Sequence, residues 1–296
     1  MRLITRADFD GIVCGVLITF EESVDQILFV EPKSMQDKEV EVGPEDAIAN
    51  LPYHPNCCLW FDHHITNQVS VSFRGKFDIA PSAARVVFEY YLNDSLKKYE
   101  TLVTETDKID SADLKVSDVL HPKGYVLLSF TIDPKNRVDE PYWIKLISLL
   151  RDKPFSLVMK DPEVARRCQQ VLDDFTAYRT MLLKNSRQEK NVVISDFREG
   201  GFKGKENRFL VYSLFPGANV SVNVFKDVHR QGRTGISVGK NIFNNTSAVN
   251  VGKLLSHYGG GGHDGAGSCR VPDAEVEVVF DEIIQALKKD QSCKKS

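Results

Sequence analysis

Residues 57–64 form a short apolar segment that ends in one carboxylate and two imidazoles, Asp62-His63-His64. Near-continuous apolar runs of this kind are typical of strands in a parallel sheet that is covered on both faces. Ligands of such sheets gather beyond the carboxyl ends of the strands, where a buried charge needs a partner and a metal ion would supply one. A lone Asp-His-His is nevertheless more often chance than a site, so the rest of the chain has to support it.

Other short apolar segments in the N-terminal half also have strand character. They cover residues 2–5 and 26–30, and residues 47–51 are the edge of a further strand. Helical spacing of apolar residues begins at Gly11 and recurs from Ser82 to Leu92. Strands that alternate with helices in this order predict an α/β domain with a parallel sheet.

The pattern changes at Asn191. Before it, helical patterns cover residues 139–151 and 162–187, and the second is long, amphipathic and mixed in charge. After it, β-rich runs lie at 192–194, 208–215, 219–225 and 234–238, followed by helical segments at 247–258 and 274–289. We therefore predict an α/β protein with a parallel-sheet domain over residues 1–160, a connecting helix over 161–189, and a smaller α/β domain over 190–290.

Length and composition agree with two domains in an ordinary folded protein. The 296 residues exceed a typical single core. A net charge of -3 argues against a protein that coats nucleic acid through bulk positive charge, although a local basic groove stays open. Six cysteines without a Cys-x-x-Cys pair argue against a disulfide scaffold or a zinc ribbon. With no basic-then-apolar leader and no apolar run of ~20 residues, we expect a cytoplasmic protein without a membrane partner.

Two further groups of carboxylates could, like Asp62-His63-His64, bind a metal ion. Asp8 and Asp10 point the same way in extended backbone and repel each other unless a cation lies between them, although an acidic helix cap before Gly11 explains them equally well. Asp107 belongs to a carboxylate cluster at residues 105–113, for which a solvated acidic turn is the simpler explanation. Together these oxygen and nitrogen ligands suit Mn²⁺ or Mg²⁺, and two such ions can drive an in-line displacement at phosphorus.

A glycine-rich segment, residues 259–267, carries His263 behind four consecutive glycines. Glycine lets backbone N–H groups approach and surround an anion, and a neighbouring histidine can donate to phosphate oxygens. The alternative is a flexible hairpin loop, which this run of glycines followed by histidine makes the less favoured interpretation.

These motifs, in this order, resemble the DHH phosphoesterase superfamily joined to its C-terminal DHH-associated domain. Asp8-x-Asp10-Gly11 resembles the first motif of that superfamily, Asp62-His63-His64 the third, Asp107 the fourth, and residues 260–267 the glycine-histidine substrate motif. The superfamily includes RecJ-type exonucleases, nano-RNases, cyclic-dinucleotide phosphodiesterases, and some polyphosphatases and pyrophosphatases. The resemblance covers nearly the whole chain and implies an active site in the cleft between the two domains.

The resemblance also implies a role for each matching residue. The implied metal ligands are Asp8, Asp10, Asp62, His63 and Asp107. The implied catalytic residues are Asp62 and His64, the latter beside the scissile phosphate; Arg6 is a further catalytic candidate, for a reason that lies outside the family pattern. The implied substrate-binding residues are Gly260, Gly261, Gly262 and His263, with Arg233 and Lys240 as further phosphate contacts. For these last two, solvated strand charges are an equally good explanation.

Two positions depart from the pattern of the superfamily. Arg6 stands where a metal-binding histidine is usual, and arginine cannot ligate a cation. The bridging aspartate of the second motif is replaced by Asn50, although Asp46 lies nearby. Arg6 could then supply a fixed positive charge near the phosphate, or the two substitutions could mark a site that no longer catalyses.

We therefore expect a metal-dependent phosphoesterase that uses one or two Mn²⁺ or Mg²⁺ ions on a small phosphorylated substrate. Short oligonucleotides or dinucleotides are favoured because a long nucleic-acid channel needs basic and aromatic residues along a groove. An exopolyphosphatase-related hydrolase and a catalytically degenerate protein that binds nucleotides or nucleic acid are the alternatives. The sequence leaves a homodimer open.

Overall fold

The computed structural model describes residues 1–227 and 230–289. Its chain divides into two compact units, one formed by residues 1–114 and 122–171, the other by residues 115–121 and the described residues from 172 onward. Asp290, the last residue of the predicted second domain, lies outside the described residues. The predicted α/β class is confirmed in both units, each of which packs helices around one sheet.

The first unit contains a five-stranded sheet in the order β2-β1-β3-β4-β5, in which all neighbouring strands are parallel. Its strands are β1 Arg2–Thr5, β2 Gln26–Phe29, β3 Asp46–Ala49, β4 Leu59–Asp62 and β5 Gly75–Phe77. The predicted parallel sheet is therefore confirmed. The strand expected as an edge around residues 47–51 is an interior strand, and all four residues of β3 are buried. The short strand β5 was not predicted, because Gly-Lys-Phe gives no apolar run.

Nine α-helices lie among the described residues up to the end of the long helix. In chain order they are α1 Phe9–Glu21, α2 Pro32–Gln36, α3 Ala83–Tyr91, α4 Glu100–Asp110, α5 Val116–Leu120, α6 Gly124–Phe130, α7 Glu140–Asp152, α8 Phe155–Val158 and α9 Pro162–Asn185. Short 3-10 helices cover Ile65–Asn67, Leu96–Tyr99 and Arg137–Asp139. The fully buried ring of Trp143 in α7 meets Phe29 of β2 edge-on, with ring centroids 5.2 Å apart, which packs this helix against the sheet.

The parallel arrangement has a direct consequence for the polar residues that follow each strand. Because β1, β3 and β4 are neighbours and run the same way, their carboxyl ends meet at one edge of the sheet. Arg6 follows β1, Asn50 follows β3, and Asp62 ends β4. Asp46 begins β3 and therefore lies at the opposite edge, where its carboxylate accepts hydrogen bonds from Arg2 at 2.9 and 2.5 Å.

The second unit contains a six-stranded mixed sheet in the order β10-β11-β9-β8-β7-β6. Its strands are β6 Ser186–Glu189, β7 Val192–Asp196, β8 Val220–Lys226, β9 Arg233–Lys240, β10 Gly261–Gly262 and β11 Ala266–Pro272, and its further helices are α10 Leu210–Leu214, α11 Val251–Ser256 and α12 Val276–Lys289. Only β7 and β8 pair in parallel among these described strands. Valine and isoleucine side chains of β7, β8 and β9 form its core with α12.

Two sequence predictions for this half of the chain need correction. Residues 208–215 are not a β-rich run, since the structure has α10 there, with Leu210, Val211 and Tyr212 buried. A short apolar run fits a buried strand and a buried helix equally well, so periodicity could not decide between them. The long helix ends at Asn185 rather than at residue 187, because Ser186–Glu189 pair with β7 as β6.

The boundary between the units falls inside α9, between Val171 and Leu172. The segment 115–121 belongs to the second unit although it lies within the first predicted domain. The amide of Asn207 donates to the backbone oxygen of Val119 at 3.4 Å, and α5 contacts α10. Within residues 1–227 and 230–289, no helix has the length and apolar character needed to cross a bilayer.

Candidate metal centre

Asp10 is a buried carboxylate at the carboxyl edge of the first sheet. It lies in the first turn of α1 and is only 1% exposed. The backbone N–H groups of Ala83 and Ala84, the first residues of α3, donate to its two oxygens at 2.9 and 2.8 Å. The positive end of the α3 dipole therefore faces this carboxylate and helps to keep it in the interior.

His63 follows β4 and turns its ring toward Asp10. Its Nδ1 lies 3.0 Å from the backbone oxygen of Ala80, which can only accept, so Nδ1 carries the proton. The lone pair of the neutral ring is then on Nε2, which lies 3.4 Å from Asp110 Oδ2 and 3.8 Å from Asp10 Oδ2. Within the described part of the chain, this buried nitrogen has no hydrogen-bond partner.

Asp10, His63 and Asp110 therefore form a group of three possible metal ligands, whose ligand atoms all lie within 4.8 Å of one another. Each of the three presents a lone pair to the others, and no donor among the described residues satisfies the histidine nitrogen. Such an arrangement suits a cation. Two carboxylates and one imidazole suit Mn²⁺ or Mg²⁺ better than a thiolate-seeking metal, so the residues fit the ion that the sequence predicts.

The electrostatics of the two carboxylates agree with this reading. Burial raises the pKa of Asp10 well above its usual value, and the charges of Asp110 and Asp8 raise it further. Burial and then the charge of Asp8 raise the pKa of Asp110 to about 6, against the opposing effects of His63, His64 and Arg6. A cation at this position would favour the ionised forms of both groups.

Asp62 and His64 form a second pair beside this group. Asp62 is fully buried, and its Oδ1 accepts from the backbone N–H of His63 and lies 2.8 Å from Nδ1 of His64. Its Oδ2 accepts from the amide of Asn67 at 2.6 Å. The hydrogen bond with Asp62 raises the pKa of His64, whose side chain is 42% exposed.

The possible ligand atoms of Asp62, His63 and His64 also lie within 4.8 Å of one another. We favour Asp10-His63-Asp110 because the unpartnered Nε2 of His63 faces Asp10 and Asp110, and because Nδ1 of His64 faces Asp62 rather than an open position. Asp62 thus orients His64 and leaves its Nε2 directed away from the carboxylate.

Asp107 lies three residues before Asp110 on α4 and does not join the group. Its Oδ1 accepts from the Ser82 hydroxyl at 2.6 Å, and its Oδ2 accepts from Arg85 at 2.6 and 2.9 Å. These bonds fasten the start of α3 to α4. The structure thus brings Asp110 to the predicted ligands where Asp107 was expected, and sequence spacing could have offered it, since positions three apart share one helix face.

Asp8 is held by donors on both of its oxygens. The N–H of Gly11 and the amide of Asn50 donate to Oδ1 at 2.8 and 3.0 Å, and Oδ2 lies 3.0 Å from Nη1 of Arg6. The first bond makes Asp8 the N-cap of α1. Asn50 directly follows β3, where the second motif of the superfamily has its aspartate.

The glycine-rich segment of the second unit forms a closely packed hairpin. Gly261 and Gly262 pair antiparallel with β11. The N–H groups of Gly260 and His263 donate to Leu255 and Ala266 at 3.0 and 2.7 Å, so neither is available to surround an anion.

The glycines are needed for close backbone packing. At Gly262, where φ is +147°, a Cβ atom would lie 2.3 Å from the oxygen of Ala266; at Gly252 it would lie 2.4 Å from the oxygen of Gly262. This packing holds the hairpin against α11 and leaves the imidazole of His263 exposed at its tip.

The two predicted basic contacts lie at opposite ends of β9. Lys240 donates to Asp264 beside His263 at 2.6 Å, and its side chain is 11% exposed. Arg233 begins the strand, pairs in register with Pro272, and donates to the oxygen of Arg270 at 3.0 Å. The structure therefore brings Lys240 to the glycine-histidine hairpin and leaves Arg233 at the far end of the sheet.

The parallel sheet brings Asp8, Asp10 and Asp62-His63-His64 to one edge, and the second unit carries a glycine-histidine hairpin. Together these features define a phosphoesterase of the DHH class. The chain belongs to the DHH phosphoesterase superfamily. It is 32% identical to the pGpG-specific phosphodiesterase PggH of Vibrio cholerae, with a TM-score of 0.88 over 98% of this chain and 99% of that chain. This likeness confirms the predicted family and the predicted hydrolase class.

More distant structures share the fold. An exopolyphosphatase-related protein of Bacteroides fragilis is 13% identical, with a TM-score of 0.56 over 99% of this chain and 93% of that one. RecJ of Thermus thermophilus, in complex with Mn²⁺, is 14% identical, with a TM-score of 0.58 over 97% of this chain and 52% of RecJ. No protein-family model and no curated protein sequence matches the chain.

Proposed function

We propose that this protein is a divalent-cation-dependent phosphodiesterase that hydrolyses short linear oligonucleotides, and that a guanine dinucleotide is its first substrate to test. The observation that carries the proposal is the convergence of Asp10, His63 and Asp110 on one point with an unpartnered imidazole nitrogen. The choice of dinucleotide is supported by the likeness to a pGpG-specific enzyme over nearly the full length of both chains.

Asp10, Asp110 and Nε2 of His63 would hold the ion, for which we propose Mn²⁺ or Mg²⁺. When bound, such an ion neutralises phosphate charge and makes water a better nucleophile. We assign Asp62 to orienting His64 rather than to the ion. Because Asp62 fixes Nδ1 of His64, Nε2 of that ring is the atom that would donate a proton to the leaving oxygen or bind a phosphate oxygen.

The substrate class follows from size and charge. Neither the overall charge of -3 nor the described site offers the string of basic and aromatic groups that a long single strand needs. The likeness to the exopolyphosphatase-related protein extends to the fold alone at 13% identity, so polyphosphate is a comparison substrate. Contacts of His263 and Lys240 with a substrate phosphate, a cytoplasmic location and a homodimer stay predictions.

The test is hydrolysis of pGpG to two molecules of GMP by protein stripped with EDTA and resupplied with Mn²⁺. We expect turnover only with the metal present, and a loss of at least about a hundredfold in kcat/KM for Asp110→Asn, since even partners of metal ligands cost 10–100-fold. Asp113→Asn removes an exposed carboxylate in the same segment and should stay close to wild type.

Polyphosphate and a longer oligonucleotide, assayed in parallel, separate the alternatives. Turnover of pGpG and not of polyphosphate supports the proposal, whereas hydrolysis of polyphosphate alone would replace it. Binding of pGpG without any metal-dependent cleavage would identify a catalytically degenerate binding protein instead.

A further inference from the structure

The environment of Asp8 differs sharply from that of Asp10. Asp8 has donors on both oxygens, from Gly11 and Asn50 on Oδ1 and from Arg6 on Oδ2. Asp10 accepts from two backbone N–H groups and, at 4.0 Å, from the Cys14 thiol, and it faces the unpartnered nitrogen of His63. Of the two carboxylates in the Asp-x-Asp segment, one is therefore directed at an open ligand position and the other is already paired with a cation.

Arg6 is held by an ion pair with Asp8, but one of its guanidinium nitrogens lacks a hydrogen-bond partner. Nη1 lies 3.0 Å from Asp8, while the buried Nε has no hydrogen-bond partner and lies 3.7 Å from the carboxylate of Glu31. Oδ1 of Asn50 is also buried without a partner. With Nε2 of His63, three orphaned polar atoms among the described residues lie at this one edge of the sheet. Buried polar atoms are seldom left unpaired, so the edge is built to receive a ligand.

A second divalent ion beside Asp8 would meet two obstacles. The cationic guanidinium of Arg6 has no lone pair to offer a metal, so it repels an ion that competes for the same carboxylate. Asn50 contributes a neutral amide, whose nitrogen already donates to Asp8. The guanidinium, by contrast, suits a phosphate oxygen through charge-assisted hydrogen bonds.

We propose that this chain binds a single divalent cation, at Asp10, His63 and Asp110, and that the Arg6 guanidinium, fixed by Asp8 and part of a side chain that is 34% exposed, takes the second cationic position and binds a phosphate oxygen of the substrate. This inference rests on the proposed function for the identity of its ligand, a phosphodiester. It assigns Arg6 to substrate binding and Asn50 to positioning, in place of metal ligation.

The first test measures how many Mn²⁺ ions bind, in the absence of substrate, by calorimetry and electron paramagnetic resonance. We expect one ion per wild-type chain, with the spectrum of an isolated ion. The double variant Arg6→His/Asn50→Asp should gain a second ion and the spectrum of a magnetically coupled pair. Two ions in the wild type, or none, would overturn the proposal.

The second test uses Asp8→Asn, which keeps the stability of α1 because asparagine is also a good N-cap. Since Asp8 is not a ligand in this account, the variant should still bind one Mn²⁺ with an affinity within about tenfold of wild type. Its KM for pGpG should rise because Arg6 loses its anchor. Asp10→Asn is the control, which should abolish Mn²⁺ binding. If Asp8→Asn also loses Mn²⁺ binding, Asp8 is a ligand and the proposal is contradicted.

Failure here and failure of the proposed function are distinguishable. A wild type that binds one Mn²⁺ but hydrolyses no dinucleotide would retain the metal assignment and reject the substrate. A wild type that hydrolyses pGpG with two bound ions would retain the function and reject the role of Arg6. Arg6→Gln, which should leave one Mn²⁺ bound but raise the KM for pGpG, is matched by Arg74→Gln, an arginine whose side chain is 64% exposed.

Discussion

At His63, one backbone hydrogen bond decides which ring nitrogen can bind a cation. Because the oxygen of Ala80 accepts from Nδ1 at 3.0 Å, the lone pair of the neutral ring lies on Nε2, which faces Asp10 and Asp110. Partners of this kind fix the tautomer of metal-binding histidines. The acceptor lies 17 positions along the chain in a segment without a pattern, so the sequence identifies the histidine but not its orientation.

Replacing Asp62 by asparagine should separate orientation from metal binding. An amide in place of the carboxylate disturbs the hydrogen bond that holds Nδ1 of His64 at 2.8 Å, and loss of an orienting carboxylate of this kind can cost up to about 10⁴ in turnover. We expect kcat for pGpG to fall by at least about a hundredfold while one Mn²⁺ still binds. Asn67→Ala removes only the donor to the other oxygen and should cost less. An Asp62→Asn protein that loses its Mn²⁺ would instead make Asp62 a ligand.

The sequence alone does not decide which of Asp107 and Asp110 faces His63. Both aspartates lie in the same acidic cluster, and both are carboxylates at the end of α4. Only the packing of α3 against α4 separates them, because Arg85 and Ser82 bind Asp107 and leave Asp110 to face His63. That packing depends on contacts between distant segments, which a motif match does not contain.

Among the elements, α1 has the strictest local requirement. Gly11 lies in its first turn, and a Cβ atom there would come within 2.0 Å of the backbone oxygen of Arg6. The chain therefore passes from β1 into α1 through a turn that only glycine can occupy. This turn sets the positions of Asp8 and Asp10, so the geometry of the site depends on it.

Gly11→Ala should accordingly destabilise the protein and weaken metal binding together. We expect the free energy of unfolding to fall by about 1–3 kcal/mol or more, the usual cost of forcing an extra methyl group into a closely packed position. Urea unfolding and Mn²⁺ calorimetry measure the two effects. Gly201→Ala is the matched control, because its Cβ meets no atom within 4 Å, and it should change stability by about 0.5 kcal/mol or less. Equal behaviour of the two variants would contradict this account of α1.

Other elements show what the local pattern leaves undecided. Residues 210–214 are a helix although their apolar run also suits a strand. The glycine-rich segment is a closely packed hairpin, because several of its glycines lie against backbone oxygens. In both cases the residue types predict burial or close approach correctly, and tertiary packing chooses the element.

On the scale of the whole molecule, the alternation of strands and helices was sufficient to predict the first sheet and its parallel strands. It did not give the strand order, which places β1, β3 and β4 side by side and thereby brings residues 6–10, 50 and 62–64 to one edge. Nor did it separate residues 115–121 from the first domain, since that assignment depends on contacts with α10 and Asn207. The motifs identified the family, and the fold explains why residues scattered over the first 110 positions share one site.

The most direct test is the anomalous scattering of Mn²⁺ in crystals of the wild-type protein. The account predicts one peak per chain in the first unit, within coordination distance of Asp10, His63 Nε2 and Asp110, with Arg6 still paired to Asp8. Two peaks would show that the guanidinium does not replace an ion. A peak on Asp8 or Asp107 without Asp110, or no peak at all, would contradict the assignment of the centre itself.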